Sequence, residues 1–245
     1  MAGHSHWANI AYKKAAIDKK RGKVYSKIAR MIIVAAKAGG GDPDMNLKLK
    51  YAVAEARAAN MTNDQVKRAI DRGTGATASE NYEDLLYEGY APGGAAVLVE
   101  ALTDNRHRTV PEIRQIFEKN GGNLGSSGSV AWQFARKAVV RVPSQGTDED
   151  KLMMAALDAG ADDVERGDDV FVVRGPVETL AALQQAVASM KLIPVSSRIE
   201  YLPTNFIPVT TEAGRSVVAL LESLEENDDV QKVHTNAEFP DGFEG

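Results

Sequence analysis

Hydrophobic positions along this 245-residue chain follow two rhythms. Up to about residue 75 they recur every three or four residues, the period of helices with one buried face. Val24, Ile28, Met31, Ile32 and Ala35 predict a helix over 20–38 that Gly39 ends, and Leu49, Val53 and Ala56 predict a second over 46–59. A third starts at Thr62, where Gln65 completes a capping box and Met61 can staple against Val66; Gly73 is its expected C-cap.

Beyond a polar stretch over 75–81 the apolar runs shorten and alternate with helical ones. Residues 85–90 and 95–101 read as strands joined across Pro92, Gly93 and Gly94. Thr109 with Glu112 is expected to cap a helix that buries Val110, Ile113 and Phe117, and 130–134 reads as the next strand. Then come a strand over 139–142, a helix over 148–159, strands over 163–166 and 170–174, a helix over 176–190 and a strand over 195–201. That order, βαββαβ, is the ferredoxin-like split unit. The elements before it, joined to a helix over 212–224 and a strand over 230–235, make a second layer of the same kind. The expected fold is α+β: an N-terminal helical domain followed by two ferredoxin-like domains, one inserted in the other. The boundaries are 1–75, 82–136 plus 203–239, and 137–202.

Composition removes several classes of chemistry. The chain has no cysteine, so disulfides, thiolate metal sites and cysteine nucleophiles are excluded. The longest apolar run, 31–36, is far below the roughly 20 residues of a membrane-spanning helix. The first residues lack the apolar core of a secretory signal, so a cytoplasmic protein without a membrane partner is expected, and with no dimer seam in the sequence a monomer is expected.

The net charge of −5 is divided very unevenly. Residues 1–75 carry fifteen Lys and Arg against six acids, a net +9, and residues 76–245 carry fourteen against 28, a net −14. On the first helix Lys20, Lys23, Lys27 and Arg30 are spaced three, four and three, so they form one stripe beside the apolar face. Lys13, Lys14, Lys19 and Arg21 extend the cationic run. Such a surface suits a phosphate backbone, and Trp7 adds an aromatic face on which a base can stack. Arg106 and Arg108 flank a helix entry whose free amides suit a phosphate, though the same segment also reads as a capped surface loop. The glycine-rich segment 121–128 lacks the Gly-Lys-Ser/Thr ending of a phosphate-binding loop and reads as a long turn. Ser129 stands where a G-x-S-x-G elbow needs glycine. No catalytic set, metal site or cofactor site is expected, His4 and His6 included.

Several segments together carry a family resemblance. Residues 3–10 (GHSHWANI), 20–23 (KRGK), 38–44 (AGGGDPD), 87–94 (YEGYAPGG), 103–106 (TDNR) and 121–125 (GGNLG) resemble the YebC family, although His6 stands where that family usually has lysine. The resemblance implies three cytoplasmic domains without catalytic residues. It also implies a role in gene expression, as a DNA-binding transcriptional regulator or as a translation factor. The mitochondrial relative activates translation of a cytochrome oxidase subunit, and bacterial relatives look like ribosome-associated factors that relieve stalling at proline-rich stretches. The expected function is thus a non-enzymatic regulator that docks on nucleic acid, ribosomal RNA with the ribosome as partner or else DNA, through its basic domain. An enzyme acting on a phosphorylated substrate is the third reading.

Overall fold

The computed structural model of the chain describes residues 21–75 and 82–243. The backbone forms two compact units: one runs to Phe134 and resumes at Pro203, and the other is Ala135–Leu202.

The first unit begins with α1 (Arg21–Gly39), α2 (Leu47–Ala58) and α3 (Asn63–Thr74). The three- and four-residue spacing puts Ile28, Ile32, Ala35 and Ala36 of α1 against Leu49, Ala52, Val53 and Ala56 of α2 and Val66 and Ala69 of α3. Local chemistry sets the helix ends. Asn46 accepts the Leu49 amide at 3.1 Å while its own amide group donates to the carbonyls of Ala35 and Gly40, so one side chain starts α2 and fastens the end of α1. The Thr62–Gln65 capping box forms as the sequence predicts. Gly73 has another role than the expected cap. It lies inside α3, where a Cβ would come within 2.4 Å of the Ile33 carbonyl oxygen, so glycine lets α3 press directly on α1.

The same unit continues with β1 (Glu83–Tyr90), β2 (Ala96–Thr103), α4 (Arg106–Lys119) and the two-residue β3 (Asn123–Leu124). The inserted unit follows: β4 (Phe134–Pro143), α5 (Glu149–Asp158), β5 (Asp163–Arg166), β6 (Val170–Gly175), α6 (Leu180–Ser189) and β7 (Ser196–Pro203). The first unit then closes with β8 (Ile207–Pro208), α7 (Thr211–Glu226), β9 (Val230–Thr235) and β10 (Ala237–Glu238).

The sheet of the inserted unit runs β5-β6-β4-β7, the ferredoxin-like strand order. The sheet of the first unit runs β3-β1-β2-β9, which is the same order with one strand moved. β1, the strand beside β3, comes from ahead of the motif, and the inserted unit occupies the place in the chain where that strand would otherwise fall. Every residue of β2 but Glu100 is buried, because β1 and β9 flank it. Val97 and Val99 share a core with Ile113 and Phe117 of α4 and Leu220, Leu221 and Leu224 of α7. Where the chain leaves and re-enters the first unit, the Gln133 carbonyl accepts both the Thr204 amide at 2.8 Å and the Thr204 hydroxyl at 3.0 Å.

Candidate nucleic-acid interface

The predicted cationic stripe has a partner within the chain. Lys23 Nζ donates to the Glu226 carbonyl at 2.9 Å, Lys27 Nζ to the Glu225 carbonyl at 2.7 Å, and Arg30 to the Asp228 carbonyl at 2.5 Å. Glu225 and Glu226 are the last residues of α7, where carbonyls lack an amide one turn ahead and the helix dipole is negative. Three cations on successive turns of α1 therefore occupy the end of α7 and the turn that follows it. The Lys27 ammonium is pushed from 10.5 down to about 8 by burial, against the opposing pull of Glu225 and Asp228.

Asp229 completes this junction. One carboxylate oxygen accepts from Arg30 at 3.1 Å, and the other accepts from Arg108 at 2.8 Å, Thr109 Oγ1 at 2.7 Å and Thr103 Oγ1 at 3.0 Å. Its side chain is 5% exposed. Burial favours the neutral acid, but the donors led by Arg108 outweigh it and hold the carboxyl below its ordinary range. This arrangement explains why α4 begins at Arg106 with Asn105 as its cap rather than at the predicted Thr109. The buried carboxylate draws Thr109 inward, and Asn105 accepts the Arg108 amide at 3.2 Å.

The glycine-rich loop also holds a carboxylate of the chain itself. Glu88, 4% exposed on β1, accepts the amides of Gly128 at 2.6 Å and of Val130 and Ala131 at 2.7 Å. Burial alone would raise its pKa, but these amides, with that of Ser129, bring it below the usual carboxylate value. Three converging amides require a curved backbone. The predicted strand over 130–134 is therefore a turn over Ala131–Gln133, with β4 starting at Phe134.

The predicted contacts thus separate. Lys23, Lys27 and Arg30 converge on α7, and Arg108 is paired with Asp229 and Asp104, while Arg106 is exposed at the start of α4. Lys13, Lys14, Lys19, Lys20 and Trp7, like His4 and His6, lie outside the described residues, as does the side chain of Arg21.

A cationic surface that the stripe did not include lies on the other side of α1. A shallow groove between α1 and α3 is lined by Tyr25, Ser26, Gln65, Arg68 and Arg72. The Tyr25 hydroxyl is fixed on the Asn60 carbonyl at 3.1 Å, and the two exposed arginines sit one turn apart. Lys48, Lys50, Arg57 and Lys67 are exposed elsewhere on α2 and α3. The spacing of four between Arg68 and Arg72, in a domain of net +9, was the available signal.

Charge also separates the two ferredoxin-like parts. The interrupted one (76–134 with 203–245) has six bases against seventeen acids, −11, and the inserted unit has eight against eleven, −3. Among the described residues no group of three His, Asp or Glu could hold a metal ion, and no helix is long and apolar enough to cross a membrane.

A basic three-helix domain fastened to an acidic, interrupted ferredoxin-like domain defines a multidomain α+β protein whose parts carry opposite net charge. Two family profiles match it, the TACO1/YebC N-terminal domain over residues 5–76 and the TACO1/YebC second and third domain over 82–237. The chain belongs to the TACO1/YebC family. It is 46% identical over 244 residues to a probable transcriptional regulatory protein of Brachyspira hyodysenteriae, covering 99% of both chains. With a relative of the same description in Rubrobacter xylanophilus it shares 48% identity, over 96% of this chain and 95% of that one. The crystal structure of a conserved hypothetical protein from Aquifex aeolicus superposes with a TM-score of 0.85 at 40% identity, covering 93% of this chain and 94% of that one.

Proposed function

We propose that this chain is a non-enzymatic regulator of gene expression that docks on RNA through its helical domain and acts as a translation factor, with ribosomal RNA as the ligand class. The division of charge along the chain carries this reading: +9 on residues 1–75 against −11 on the interrupted domain. A polyanion is attracted by the first and repelled by the second, which fixes one docking face. The exposed cations are spread over α2 and α3 rather than gathered on one base-reading helix, and such a spread suits recognition of a phosphate backbone by shape. The beginning of α3 is also committed to its own cap, since Gln65 accepts the Thr62 amide at 2.9 Å, and Asp64 and Asp71 stand among its arginines.

The second reading is a DNA-binding transcriptional regulator, the description its relatives carry. One observation favours it: α2 and α3 are joined by a four-residue turn with Asn60 in the left-handed region at φ 60°, the connectivity of a helix-turn-helix. Anisotropy titrations of fluorescein-labelled single-stranded RNA, hairpin RNA and duplex DNA across a salt series separate the two. Tighter binding to RNA at every salt concentration is expected, and preference for the duplex DNA would replace the first reading with the second.

A further inference from the structure

Lys23, Lys27 and Arg30 are the cations that a phosphate backbone would meet on this face of α1, yet the end of α7 and the turn after it hold all three. We propose that this junction is a latch: the carbonyls at the end of α7 stand in for phosphates, and an RNA backbone opens the junction by taking their place. The inference rests on the nucleic-acid reading and adds a regulated state to it.

Three features make the exchange physically reasonable. First, the carbonyls displaced from Lys23, Lys27 and Arg30 are weaker acceptors than the phosphates arriving, and Arg30 also exchanges the Asp229 carboxylate for a group of equal charge. The end of a helix presents about half an elementary charge, and each phosphate presents a whole one. Second, opening strands no buried charge. When Arg30 leaves, Asp229 keeps Arg108, Thr103 and Thr109, and the exposed Glu226 and Asp228 and half-exposed Glu225 place the freed carbonyls in reach of water. A buried carboxylate with Arg30 as its sole donor would hold the junction shut. Third, other contacts between the helical and interrupted domains stand apart from the stripe: Lys232 on β9 faces Glu55 on α2 at 3.7 Å, and Tyr82 packs on the helical core. Release at the stripe therefore leaves the helical domain attached. Because binding competes with closure, the apparent affinity is lowered by the fraction of molecules that are latched.

Hydrogen–deuterium exchange on the full chain, with and without saturating fluorescein-labelled oligouridylate, tests the latch. Displacement by RNA predicts faster exchange over 224–230 while α1 becomes protected. Bound oligouridylate with unchanged or slower exchange over 224–230 would overturn the latch and leave the RNA reading standing. Failure to bind oligouridylate, hairpin RNA and duplex DNA alike would remove the nucleic-acid reading and the latch with it. The double variant Glu225→Gln, Asp228→Asn weakens the α7 side without touching the cations, and its RNA affinity is expected to rise about five-fold over wild type. A control with the same charge change in the inserted unit, Asp158→Asn with Glu178→Gln, corrects for net charge. An equal rise in the control would count against the latch.

Discussion

Asp229 and Glu88 are both buried carboxylates held below their ordinary pKa, and they are held by different means. The donors to Asp229 are side chains drawn from α1, β2 and α4, so two domains meet on one charge. Those to Glu88 are backbone amides of a single loop, which no side-chain substitution removes. Both places had features of an anion site in the sequence, and in both the chain provides the anion. The difference shows which of them can respond to a ligand. Side-chain donors can leave for another acceptor, whereas a backbone loop shaped around a carboxylate is fixed.

The largest expected effect comes from Asp229→Ala, which leaves two buried hydroxyls and two guanidinium groups without their shared acceptor. A loss of about 3 kcal/mol in urea unfolding is expected, with faster hydrogen exchange in α1 as well as α4. A loss confined to α4 would mean that Asp229 does not join the domains. Glu88→Gln puts an amide donor against converging amides and should cost about 2 kcal/mol, with faster exchange over 125–131 and none in α1. If α1 loosened too, the contrast between the two carboxylates would fail.

Acid titration sharpens the same contrast. Both folded pKa values are depressed, so below the ordinary values of 4.5 for Glu and 3.8 for Asp the unfolded state takes up protons first. Their stabilisation is complete above that range and lost as pH falls through the folded values. The urea midpoint should therefore fall less on acidification in Asp229→Ala or Glu88→Gln than in wild type, and an unchanged acid dependence would contradict the assignment. The smallest effect is expected at Lys23→Ala, where an exposed ammonium meets one carbonyl. Its stability should stay within about 0.5 kcal/mol of wild type.

Much of this fold is legible in the sequence because local chemistry decides it. The capping box at Thr62 and Gln65 needs only neighbours three residues apart, and the strands at 163–166 and 230–235 lie between turn residues that define them. What was hidden depends on distant partners. β3 exists through its pairing of Leu124 and Asn123 with Gly89 and Tyr90, and nothing in its own residues marks it as a strand. Gly73 resembles a cap until Ile33 is packed against it. The cationic stripe was visible as a stripe, but its partner lies about 200 positions further along the chain, at a helix end whose acceptors are carbonyls that every residue carries. Arg68 and Arg72 form a weaker sequence pattern than the longer stripe on α1.

Docking of RNA on the helical domain is tested most directly by the salt dependence of oligouridylate affinity in wild type and in Arg68→Gln, Arg72→Gln. Each phosphate contact with a single strand contributes roughly 0.7 to the slope of log K against log salt. The double variant should keep its urea midpoint, bind about ten-fold more weakly and lose about 1.4 from that slope. A wild-type slope near zero, or a slope and affinity unchanged by the two substitutions, would contradict docking on this surface.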